Sequence, residues 1–230
     1  MQKRRLCVPV LVGIALMMVP VRGFAIDGQV LINQSTVMTS GGFPYRITQP
    51  GSYKLSGNLT LNTSQTANYF GPGGPADVAI LIDASNVSLD LNGFSITITD
   101  TMGQQLGHPF YGVLEGGTFS QIAITNGSIR MTTIPGILSL TVINMPSSLG
   151  SRFKDLNLGT KQGVNFPQPA PPSPIAINAG PDSLAVNNLA TGGQIQLGPG
   201  SSAINNVGFA SCPSGCVIVN NSTSAQVGLP

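Results

Sequence analysis

The chain has 230 residues, of which 10 are basic and 8 acidic, and charged residues make up only 8% against the usual quarter. Glycine (29) and proline (18) are abundant, tryptophan is absent, and there are three cysteines and one histidine. So few Glu and Lys residues cannot cover helix surfaces, and no convincing helical period appears after the first 25 residues.

Residues 1–25 read MQKRRLCVPVLVGIALMMVPVRGFA. Lys3, Arg4 and Arg5 form a positive n-region, Val8–Val19 is apolar apart from Pro9 and Gly13, and Gly23 and Ala25 are small residues at the −3 and −1 positions of a cleavage site. This is the pattern of a secretory signal peptide. Its removal leaves 205 residues with six basic and eight acidic side chains, a formal charge of −2. The basic balance therefore belongs to the leader and argues for neither nucleic acid nor an anionic membrane as partner. No later apolar run approaches the roughly 20 residues of a membrane span. The expectation is one exported, soluble domain over residues 26–230, periplasmic, cell-surface or secreted, with no membrane insertion after leader removal.

Along that domain, short alternating runs recur with turns between them. In residues 45–61, Tyr45 and Ile47, then Tyr53 and Leu55, then Leu59 and Leu61 alternate with polar residues, and Gln49-Pro50-Gly51 and Gly57-Asn58 separate the runs. Residues 80–98 repeat the plan. Ile80 and Ile82, then Val87, Leu89 and Leu91, then Phe94, Ile96 and Ile98 are divided by Asp83-Ala84-Ser85-Asn86 and Asn92-Gly93. Ile122–Gly127 matches the Leu89–Gly93 portion, with Asn126 standing for Asn92, and Asn157 follows 31 residues after Asn126 and 31 before Asn188. Near the C-terminus, Ile175 and Ile177 answer Ile195 and Leu197 at an offset of 20. Val186-Asn187-Asn188-Leu189 answers Ile204-Asn205-Asn206-Val207 at 18, and Val217 and Val219 begin a third copy.

Alternation marks half-buried strands, and similar units in fixed order with variable insertions mark a solenoid. The fold class expected is all-β, a right-handed parallel β-helix with three short strands per coil and about seven or eight coils. Residues 99–118 and the Pro-rich stretch 159–174 read as excursions from its corners. A sandwich of hairpins turning at Asn-Gly is the alternative. The recurrence of Asn at one place in the unit favours the solenoid, because stacked turns let each side-chain amide donate to a carbonyl of the next. Open helix ends would expose unpaired strand edges, so a cap or a partner is expected there.

The segments GGFPYRITQPGSYKLSGNLTL and AILIDASNVSLDLNGFSI closely resemble the N-terminal coils of exported β-helix proteins with a pectin-lyase-like fold. The resemblance is strong over residues 41–98 and moderate over 119–131. It implies the fold and says little of activity, since its residues are packing and turn residues. Enzymes of this fold act in a groove on one outer face. Lyases hold calcium with several carboxylates beside a basic residue, and polygalacturonases use clustered aspartates with a His and an Arg-x-Lys pair.

Against those schemes the residues themselves offer little. The acidic residues of the domain are Asp27, Asp77, Asp83, Asp90, Asp100, Asp155, Asp182 and Glu115, with no adjacent Asp pair. Arg152-Phe153-Lys154 precedes Asp155 without a histidine nearby, and His108 stands alone in a Gly- and Pro-marked stretch. No catalytic residue, metal ligand or cofactor is therefore assigned, and calcium enters only if the protein is a lyase. Asp90 and Asp155 should face outward, and with Arg130, Arg152 and Lys154 they are the candidates for carbohydrate contact. Cys212 and Cys216 most simply form one disulfide in an exported chain, two free thiols being the alternative.

The functional expectation is a secreted, non-catalytic glycan-binding or structural surface protein, its partner an extracellular polysaccharide. The alternatives are a polysaccharide lyase or glycoside hydrolase, and an adhesin or trimeric spike segment packed against sister chains. A row of apolar outward residues on one face would favour the last. The oligomeric state is not legible in the sequence.

Overall fold

The computed structural model of this chain describes residues 28–62, 69–71, 74–99, 109–133, 140–162 and 174–222. The leader, residues 100–108 of the first expected excursion with His108, and residues 163–173 of the second lie outside these residues. Within them the chain is a right-handed parallel β-helix, 17 parallel strands forming a sheet curled 305° around an axis. Three faces repeat, and a residue's partner in each ladder lies one coil away.

Face A is built from β1 (Gln29–Ile32), β3 (Gly51–Leu55), β7 (Val87–Asp90), the first part of β10 (Ala123–Thr133), the first part of β12 (Arg152–Gln162), β14 (Leu184–Val186), β16 (Ser202–Ile204) and β18 (Val217–Val219). Its inward row runs Tyr53, Leu89, Ile124, Phe153, Ala185, Ala203. Face B comprises β4 (Leu59–Asn62), β8 (Ser95–Thr99), the later parts of β10 and β12, and the starts of β15 (Leu189–Leu197) and β17 (Val207–Ser211). Leu59, Ile96, Ile129, Leu158 and Ala190 stack inside it. Face C comprises β2 (Tyr45–Ile47), β6 (Gly74–Ile82), β9 (Phe110–Glu115), β11 (Leu140–Met145), β13 (Ile175–Ala179) and the ends of β15 and β17. Its inner row is Ile80, Val113, Ile143, Ile177, Ile195. Among the described residues the one antiparallel pairing joins β5 (Tyr69–Gly71) to the start of β6, so the hairpin sandwich is excluded.

The corners follow from backbone chemistry. From β10 onward each end of face A is marked by a residue in the left-handed region: Gln121 and Asn126, Gly150 and Asp155, Asp182 and Asn187, Gly200 and Asn205, Gly215 and Asn220. Each pair is five residues apart, enclosing one residue that turns inward and a three-residue strand. Asn, Asp and Gly tolerate this conformation best, which explains why Asn recurs.

The residue after the second corner builds the expected amide ladder. Asn188 and Asn206 are buried beside Asn221, and each Nδ2 donates to the carbonyl of the preceding coil: Asn188 to Phe153 (3.1 Å), Asn206 to Ala185 (3.0 Å) and Asn221 to Ala203 (3.0 Å). Asn206 Oδ1 in turn accepts from Asn188 N at 2.9 Å and Nδ2 at 3.0 Å. Buried amides and backbone groups thus satisfy one another.

Four expectations need correction. Asn157 is not the corner equivalent of Asn126; Asp155 is, since Thr125 pairs with Lys154 and Gly127 with Leu156. Ile177 pairs with Ile195 and Ala179 with Leu197, an offset of 18 rather than 20, because an irregularity after Ile175 absorbs the difference. Phe110–Glu115 is strand rather than excursion, and Gly159–Gln162 still belongs to β12. Finally, α1 (Gln34–Thr39) is a helix of six residues, too short to show a period, capped by Asn33, whose Oδ1 accepts from Thr36 N at 3.0 Å.

That helix is the N-terminal cap. Val37 is fully buried, and the Gln34 side chain acts as a surrogate strand: Nε2 donates to Thr60 O at 3.1 Å and Oε1 accepts from Thr60 N at 2.9 Å. At the other end, the Cys212–Cys216 disulfide closes the turn leading into β18.

Candidate functional site

Outward side chains of face A form two rows across the coils. One runs Ser52, Ser88, Ala123, Arg152, Leu184, Ser202, Val217, and the other Lys54, Asp90, Thr125, Lys154, Val186, Ile204, Val219. Both rows change character after β12. Charged residues give way to aliphatic ones, broken by Ser202 in the first row, and Val217 (53%) and Val219 (40%) are well exposed.

Along the C-to-A corner an open groove of about 700 Å³ crosses four coils. Gln121, Gly150, Asp182 and Gly200, the left-handed corner residues, make one wall, and Ala123, Arg152, Leu184 and Ser202 make the other. Its floor is rigid. Ser183 Oγ donates to Gly180 O at 2.8 Å, Ser183 N donates to Ser201 Oγ at 2.9 Å, and Ser151 Oγ donates to Ser148 Oγ at 2.8 Å, all four serines being buried. Ser151, Ser183 and Ser201 each follow a corner, where a tight bend leaves backbone carbonyls that a short hydroxyl can reach.

The sequence candidates divide. Arg152 lines the groove, and Asp90 and Lys154 stand in the adjacent outward row of the same face. As expected, Asp90 alternates with buried Leu89 and Leu91, and Asp155 lies outward beside buried Leu156. Arg130 does not join them: it is on face B, paired between Thr97 and Gly159.

Both candidate carboxylates are occupied at the A-to-B corner. Asp90 Oδ1 accepts from Asn92 N at 2.7 Å and from Asn126 Nδ2 at 3.3 Å, and Asp155 Oδ1 accepts from Asn187 Nδ2 at 3.2 Å. Two coils separate them, about 10 Å at the spacing of sheet strands. The Lys154–Asp155 ion pair, 3.5 Å and exposed on both sides, adds little. Among the described residues no group of three or more His, Cys, Asp or Glu side chains is placed to hold a metal ion.

One carboxylate was missed. Glu115 ends β9 on the inward parity, paired with buried Ile82, and is only 8% exposed. Burial pushes its carboxyl up to about 7, against the pull of the Ser147 N–H and the Ser147 and Ser148 hydroxyls. The sequence carries the signal: Val113-Leu114-Glu115 copies Ile80-Leu81-Ile82, with a carboxylate where the second inward Ile stands.

No family model, curated protein or solved structure matches this chain.

Proposed function

We propose that this chain is a non-catalytic contact protein of the cell exterior, laying an extended polysaccharide along the face A groove. The observation that carries the reading is the division of labour on that face. Asp90 and Asp155 are spent on Asn amides of neighbouring coils, while the groove offers Arg152, Asp182, the Ser202 hydroxyl and aliphatic flanks across four coils. Such a trough suits a linear polymer gripped at several weak points. The resemblance to pectin-lyase-like proteins supports a groove on one outer face as the working one.

The test is affinity electrophoresis of the purified protein through gels containing neutral or uronate polymers, with and without calcium, alongside an assay for newly formed chain ends. Retardation by at least one polymer without new ends is expected, and Arg152→Ala should weaken it. Release of unsaturated or reducing ends would establish a lyase or hydrolase instead.

The aliphatic rows favour a second reading. Leu184, Val186, Ile204, Val217 and Val219 form a stripe on which a sister chain could pack, as in an adhesin or spike. Sedimentation analysis of the wild type and of Val186→Lys separates this reading from polymer binding.

A further inference from the structure

Among the described residues, the inward row of face C that begins at Ile47 and Ile82 carries a carboxyl at its next place. Ile47 pairs with Ile82 and Ile82 with Glu115, so a carboxyl occupies a row of fully buried isoleucines. Its Oε1 accepts from Ser147 N at 2.5 Å, while Oε2 is buried without a hydrogen-bond partner. Ser148 directs its hydroxyl proton to Met145 O at 2.9 Å and reaches the carboxyl only as an alternative to that bond. A buried carboxyl with one oxygen bonded and the other bare is tolerated when protonated and costly when ionised.

Among the described residues its surroundings supply no compensating charge. On β2 and after β6, Arg46 and Asp83 pair with each other at 2.7 Å. Asp77 lies at the far end of β6, opposite Phe110 and five positions from Glu115 along the ladder. The remaining titratable residue of β9 is Tyr111, which packs on the outer side of the strand. Neither β11, β13 nor the 146–150 turn carries an ionisable side chain.

The turn that Glu115 holds is also a wall of the groove. Ser147 donates to Glu115, Leu149 N donates to Phe119 O at 3.0 Å, and Gly150, which lines the groove, donates through its N–H to Pro181 O at 3.1 Å. The geometry points to Glu115 as a proton-operated latch: uncharged, it lets the 146–150 turn close over the interior; ionised, it draws water in and frees that wall of the groove. Burial supports this by holding the proton up to about pH 7. The sense is fixed by linkage. The closed turn binds a proton that the open turn releases at ordinary glutamate pH, so closure is fullest in acid and is lost as pH rises toward 7. The device does not depend on what occupies the groove.

The test is amide exchange of Ser147–Gly150 in the full chain, corrected for the intrinsic pH dependence, in wild type and Glu115→Gln. Wild-type protection of these amides should fall by at least about tenfold between pH about 5 and about 8, with β12 and β14 amides unmoved. In Glu115→Gln, which is neutral throughout, it should not change. Equal protection at both pH values, or an equal fall in both proteins, overturns the latch. Should the variant fail to fold, the carboxyl carbon shift of Glu115 in the wild type decides: a midpoint in the ordinary glutamate range overturns it.

Discussion

The coils before and after Phe153 solve one packing problem in two ways. From Tyr53 to Leu89 the chain spends 36 residues on a coil and from Leu89 to Ile124 it spends 35, filling the interior with Leu and Ile. From Ala185 to Ala203 it spends 18, and from Ala203 to Ile218 it spends 15. On faces A and B these short coils are narrow in their inward side chains: Ala185, Ala190 and Ala203 stand there, with Ile195 and Leu197 kept on face C. Alanine buries too little apolar surface to hold a coil, so polar order takes over: the Asn188–Asn206–Asn221 ladder, the buried serines and the disulfide. A parallel solenoid can thus be held by apolar rows or by amide ladders, and the size of the inward side chains decides which.

Phe153 stands where the regimes meet, between Ile124 and Ala185, and is the largest fully buried side chain. Phe153→Ala should cost about 4 kcal/mol in denaturant unfolding, the largest single effect expected. Next comes Asn206→Ala, which strands the Ala185 carbonyl and the Asn188 amide inside the narrow coils and should cost about 3 kcal/mol. In the wide coils the corner change Asn92→Gly, which keeps the left-handed backbone, removes one exposed amide's bond to Leu55 O and should cost only about 1 kcal/mol. Equal losses would erase the distinction.

The third effect is pH-dependent and belongs to the wide coils. Because Glu115 holds its proton to about 7 in the folded chain, stability should be highest in acid and fall by about 2–3 kcal/mol as pH rises from about 4.5 to 7. Denaturant midpoints at several pH values, with Glu115→Gln showing a flatter profile, check the sign. Below these two comes the disulfide. Reducing Cys212–Cys216, which closes a loop with a sequence separation of 4, should cost about 2 kcal/mol and raise proteolysis near β18 while β3 and β7 stay protected.

The faces and corners of this molecule were legible because half-buried strands alternate and left-handed corners select Asn. The strand Phe110–Glu115 was not, and the reason is physical. Leu114 points outward yet is buried with Ala76, Val78 and Leu81 in a second apolar cluster, so the strand is covered on both sides and loses its alternation. Glu115 hid in the same place. The helix α1 escaped because a turn and a half shows no period. Of the carbohydrate-contact candidates, Arg152, Lys154 and Asp90 reached one face because strand parity fixes direction. Asp155 proved to be a corner residue in the place of Asn, and Arg130 fell on face B because no residue count alone reveals which side of a corner it follows.

The most direct test of the two-regime account is the side-chain amide exchange of four asparagines, read by nuclear magnetic resonance. Asn188 and Asn206 lie inside the ladder, whereas their neighbours Asn187 and Asn205 sit exposed on the corner. The account predicts slow exchange for the first two, with Nδ2 protons visible long after transfer to deuterated buffer, and rapid loss for the others. Four amides exchanging together at the fast rate would contradict it.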